Sequence, residues 1–125
     1  MTSNASGRRN LTFISRRSPY GSGYAKACLD MVLSAAVFDQ NVTLVFMDEG
    51  VLQLLPNQQA GNIHAKDLSA ALAALPLYDV DKVYAEQDSL TRRGLLPDQL
   101  AIEVMLCDAD KIAEIIRQSD VVFTL

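Results

Sequence analysis

The sequence is poor in the residues that carry most catalytic and metal chemistry: its 125 positions include two cysteines and one histidine. Two thiols, Cys28 and Cys107, cannot build a disulfide framework, and no secretory signal precedes them, so a reducing, cytoplasmic setting is expected. His64 has neither a second histidine for a metal site nor a nucleophile at a catalytic spacing, and it reads as a surface or helix-start residue. Long apolar runs are missing too. The longest, within Leu29 to Phe38, is broken by Asp30 and Ser34 and falls far short of the roughly twenty residues of a membrane span. Positive charge is scarce, with 11 Lys and Arg against 15 Asp and Glu and a net charge of −4. A nucleic-acid binder working alone is thereby excluded, because phosphate contacts need concentrated basic residues. The three arginine pairs, Arg8-Arg9, Arg16-Arg17 and Arg92-Arg93, are dispersed among carboxylates and read as solvated surface. No metal, cofactor, membrane or direct nucleic-acid contact is expected.

What is present is ordinary globular material, 50% hydrophobic and 21% charged, of a length that suits one domain with a real core. Residues 1–10, rich in Ser, Asn, Gly and Arg, are expected to form a flexible N-terminal extension, with a single domain over 11–125. Leu11 to Ser15 is a short β-type run, followed by the loop Ser18 to Gly23 and a helical repeat from Tyr24 to Asp39. Its apolar stripe is expected along Ala27, Met31, Ser34-Ala35 and Phe38, widened by Cys28, Leu29, Val32 and Ala36. Val42 to Met47 is nearly continuous apolar sequence, the pattern of a strand covered on both faces. A helix is expected over Lys66 to Leu75, strands over Lys82 to Ala85, Ala101 to Leu106 and Val121 to Leu125, and a short helical turn from Ser89 closed by Gly94. Asp108 is placed to cap a helix running through Arg117. This alternation predicts an α/β, flavodoxin-like layered fold with a mostly parallel five-stranded sheet.

In such a sheet, chemistry is sought in the loops that follow the strands' C-terminal ends. The Ser18 to Gly23 loop has glycines that permit close backbone approach, but it matches no phosphate-loop pattern, and a structural turn needs glycine anyway. Cys107 stands at a strand end before a helix, where a dipole can lower a thiol's pKa, while Asp108 and Asp110 oppose thiolate by like charge. It is the one weak catalytic candidate. Cys28, inside the first helix, reads as packing. Asp48-Glu49 reads as a cap rather than a cation site. The run Val51-Leu52-Gln53-Leu54-Leu55 holds more large apolar side chains than a short surface helix buries, so Val51, Leu52, Leu54 and Leu55 are expected either to face a partner or to tuck under a neighbouring helix.

Several of these segments together resemble a known family. Asp48-Glu49-Gly50-Val51-Leu52-Gln53-Leu54-Leu55-Pro56-Asn57-Gln58 is similar to the hallmark of the TusC/DsrF branch of the DsrE/DsrF-like sulfur-relay family. Leu77-Tyr78-Asp79-Val80 and Asp88-Ser89-Leu90-Thr91-Arg92-Arg93-Gly94-Leu95 support the likeness, which spans Leu11 to Leu125. The resemblance implies a heterohexamer, two copies each of this subunit and of TusD/DsrE-like and TusB/DsrH-like partners, passing persulfide sulfur between proteins. It further implies service to wobble 2-thiouridine in tRNA or to intracellular sulfur oxidation. In the TusD/DsrE-like subunit the carrier cysteine follows the third strand, a place held here by Glu86-Gln87-Asp88, none of which can attack a sulfane sulfur. A non-catalytic subunit is therefore expected. Two rivals stand beside it: a sulfurtransferase carrying persulfide on Cys107, and a flavin- or nucleotide-binding protein using Ser18 to Gly23.

Overall fold

The computed structural model describes residues 7–20, 23–56 and 63–125. Five strands, β1 (Asn10–Ser15), β2 (Asn41–Phe46), β3 (Lys82–Glu86), β4 (Met105–Cys107) and β5 (Val121–Thr124), form one sheet. The order is β4-β3-β2-β1-β5, and every pair is parallel. The helices are α1 (Tyr24–Val37), α2 (Ile63–Ala74), α3 (Gln87–Arg92) and α4 (Ala109–Arg117). Tight 3-10 segments cover Asp48–Leu54, Leu75–Tyr78 and Pro97–Gln99.

Strand order dictates the layering. From β1 to β4 each crossover steps the same way along the sheet, whereas β4 to β5 jumps back past three strands. Since parallel crossovers are right-handed, reversing the step puts the connecting helix on the opposite face. Accordingly Phe13, Val42, Leu44, Phe46, Val83 and Ala85 form one core with α1 and α2, while Ile14, Val45 and Cys107 pack with Ile112 and Ile115 of α4. The alternation along β1 and β2 is the period-two geometry of a strand buried on both faces.

Several expectations shift on contact with this packing. The inward stripe of α1 is Ala25, Cys28, Leu29 and Val32, while Ala27 and Ser34 are exposed and Phe38 is 75% exposed beyond the helix end. The strand expected over Ala101 to Leu106 shrinks to Met105–Cys107, because the Ala101 N–H donates to the Leu54 carbonyl at 2.7 Å and fixes the segment's start elsewhere. At the N-terminus, residues 8–10 join the domain: Arg8 Nε donates to the Asp39 carbonyl at 2.8 Å, the Arg9 N–H to Gln40 Oε1 at 2.8 Å, and Asn10 opens β1. Asp108 caps α4 as expected, its Oδ1 accepting from the Lys111 N–H at 2.8 Å.

Candidate functional site

The C-terminal ends of β1, β2 and β3 bring three loops together, and their junction is built around buried polar groups. Gln53, 1% exposed, donates from Nε2 to Ser15 Oγ at 2.7 Å and to the Arg17 carbonyl at 2.9 Å, so the 3-10 helix after β2 fixes the course of the loop after β1. Its Oε1 has no partner among the described residues. Gly50 lies against the same loop so closely that a Cβ there would collide with the Ser15 carbonyl. Glycine is required by close approach, not by an unusual backbone angle.

The loop after β3 closes the junction. Ser89 Oγ donates to Glu86 Oε1 and accepts from the Asp48 N–H at 2.8 Å. Asp48 has a φ of 53°, a left-handed conformation uncommon for a side-chain-bearing residue, and its Oδ2 pairs with Arg16 Nε at 2.7 Å. An open cleft of about 680 Å³ lies above, lined among others by Arg16, Arg17, Tyr24, Asp48, Glu49 and Arg93. Arg17 stacks over the Tyr24 ring at 4.8 Å, and Arg93 Nη1 donates to the Ser89 carbonyl at 3.1 Å. Two of the dispersed arginine pairs thus contribute to one cleft. Arg8 and Arg92 are held at the surface by Asp39 and Asp88.

Both thiols are buried. Cys107 is 5% exposed, directly across the register from Glu86, with Sγ 3.6 Å from the Ala85 carbonyl. Burial, then the charges of Glu86 and Asp108, push its pKa up from 9.0 to about 11 against a smaller opposing effect of Lys111. Near neutral pH only about one molecule in ten thousand then carries the thiolate. Cys28 is wholly buried, and desolvation raises it to about 11 against a hydrogen bond with Ser15. Asp48-Glu49, expected to cap, makes no side-chain cap bond to the 3-10 helix; Asp48 instead pairs with Arg16. The Ser18 to Gly23 loop includes 21 and 22, and these, Gln58 and the His64 side chain lie outside the described residues.

The run expected to face a partner divides in two. Val51 and Leu54 are fully buried in the domain's own core, while Leu52 and Leu55 are partly exposed. The partner-facing expectation for Val51 and Leu54 is corrected: both side chains are wholly buried in the domain's own core, the other of the two readings the sequence left open. The Gln53, Ser15, Glu86 and Ser89 links were missed altogether. Their only sequence signal was a glutamine set inside an apolar run.

Comparison with known proteins bears on this junction. The DsrE/DsrF-like family model matches residues 9–125. The chain belongs to the DsrE/DsrF-like family. Within it, a TusC homolog of Pseudomonas aeruginosa is 38% identical over 117 residues, covering 94% of this chain and 98% of the relative. The intracellular sulfur oxidation protein DsrF of Allochromatium vinosum is 35% identical over 130 residues, covering 93% and 96%. The crystal structure of the E. coli YchN protein superposes with a TM-score of 0.81 at 21% identity, covering 94% of this chain and 99% of that one, a likeness of fold. The layered α/β architecture is thus that of the family. None of the described helices is long and apolar enough to cross a membrane.

Proposed function

We propose that this chain is a non-catalytic subunit of a cytoplasmic sulfur-relay complex, holding TusD/DsrE-like and TusB/DsrH-like subunits in a heterohexamer. Its relatives named TusC and DsrF support the relay role. The observation that carries the non-catalytic part is the occupied junction after β3. Where the resemblance puts a carrier cysteine in a sister subunit, this chain has Glu86, engaged by Ser89, and the nearest thiol across the register is buried and held protonated. Relay transfer needs a thiolate to attack the outer sulfur of an incoming persulfide, forming a new S–S bond as the donor leaves as thiolate. No group at this junction supplies that attack. The persulfide-on-Cys107 reading gains no support from a buried thiol, nor does the Ser18 to Gly23 loop support a flavin or nucleotide.

Both pathways, wobble 2-thiouridine synthesis in tRNA and intracellular sulfur oxidation, fit the two named relatives, and the more widespread tRNA role is preferred. Leu52 on the 3-10 helix and Leu55 at its C-terminal end are the proposed partner contacts. The deciding experiment replaces Cys28 and Cys107 together by Ala in a reconstituted relay shown to be intact. Sulfur flux is expected within about threefold of wild type, since loss of an essential nucleophile costs orders of magnitude. A collapse of flux reversed by restoring Cys107 alone overturns the reading.

A further inference from the structure

β4 covers only three of the five residues of β3. Met105 to Cys107 pair with Tyr84 to Glu86, whereas Lys82 and Val83 pair with β2 on their inner side and with no strand on their outer side among the described residues. Ile102 to Val104 carry strand-like alternation yet remain outside the sheet, because Ala101 is tied to Leu54. Between them lies a cleft of about 650 Å³ whose apolar walls include Leu72, Leu75, Val80, Val83, Ile102 and Val104. Asp79, Asp81 and Glu103 line the same cleft, which has no cation among its described lining residues. None of the three carboxylates has an ion-pair partner among the described residues. Pro76, which precedes the 83% exposed Leu77, and Met105, 44% exposed, also line it.

We propose that this cleft receives an extended segment of a protein partner, one that sets an apolar side chain between β3 and Ile102–Val104 and places Lys or Arg against Asp79, Asp81 and Glu103. Three features converge on that occupant. The apolar walls offer area for a hydrophobic anchor, the unmatched carboxylates select basic flanks, and the open start of β3 at Lys82 and Val83 offers main-chain groups for an added strand. Nucleic acid is disfavoured because its phosphates meet three carboxylates. A second copy docking through the same face is disfavoured too, because an isologous contact sets like charges against each other. The choice of relay subunits as assay partners rests on the function proposed above; the cleft itself does not.

The test has two arms on the full chain. In the first, Asp81→Lys with Glu103→Lys is compared with wild type for association with TusD/DsrE-like and TusB/DsrH-like subunits by sedimentation, folding being checked by circular dichroism. Association about tenfold weaker or worse, with its salt dependence diminished, is expected; equal affinity from the folded variant overturns the proposal. In the second, a benzophenone side chain replacing Val104 is photoactivated in the native cell and the cross-linked peptide sequenced. An apolar segment with adjacent Lys or Arg is expected. A cross-link to a second copy, to nucleic acid or to an acidic segment, or none at all, overturns the proposal. If wild type binds no relay subunit, the subunit reading fails, and the cross-linked peptide still decides for or against the cleft.

Discussion

At the scale of single residues, burial governs the thiols and polar satisfaction governs the loops. The fold holds Cys28 and Cys107 protonated up to about pH 11, whereas the unfolded chain releases those protons near 9.0. Between these values the unfolded state binds fewer protons than the native one, so stability present in full below pH 9 falls as pH rises through the window. Urea midpoints measured from pH 7 to 10.5 are expected to decline above about 9, and to decline less in the Cys28→Ala Cys107→Ala protein. Native protein at neutral pH should take up iodoacetamide far more slowly at both sites than protein in urea. At the loop junction, Gln53→Leu strips Ser15 Oγ and the Arg17 carbonyl of a donor inside the fold. A loss of about 1–3 kcal/mol in urea unfolding is expected. Gly50→Ala, which forces the Ser15 backbone to move, should destabilise at least as much.

Among the elements, the 3-10 helix Asp48–Leu54 sets a buried residue beside a partly exposed one at its C-terminal end, and the assembly role proposed for the second can be tested apart from stability. Leu54 is wholly buried, so Leu54→Asp places an unpaired carboxylate in the core and should prevent stable folding, visible as lost cooperativity in thermal melts. Leu55 is partly exposed; Leu55→Asp should keep a near-native melt yet reduce complex mass in light scattering. An intact complex with Leu55→Asp removes this position from the interface. For α4, Asp108→Ala deletes the cap to Lys111 N–H and should cost about 1 kcal/mol. The order of elements was legible because hydrophobic periodicity, Asp108 and Gly94 each act locally. The inward face of α1 was legible in part: Cys28, Leu29 and Val32 lie on it as expected, whereas the strands beneath select Ala25 and leave Ala27, Ser34 and Phe38 exposed. The same limit hid β4's true length and the burial of Val51 and Leu54, which depend on a hydrogen bond between Ala101 and Leu54 and on a neighbour 40 residues or so away. At the site, the absence of a thiol after β3 could be read directly, whereas the Gln53 and Ser89 links join loops distant in sequence and had no local signature.

Across the whole molecule, the first of the described strands is an inner one. β1 is flanked by β2 and by β5, and the Asn10 N–H donates to Asp120 Oδ2 at 2.7 Å across a separation of 110 residues. On a ribosome adding about 5–20 residues each second, nascent β1 therefore waits on the order of ten seconds for its second neighbour. Throughout that wait, the main-chain groups of Leu11 to Ile14 that β5 will satisfy face outward from an apolar strand, in the register most open to a stray strand from another chain. The sheet's order of synthesis thus leaves an inner strand open on one side until Val121 to Thr124 dock.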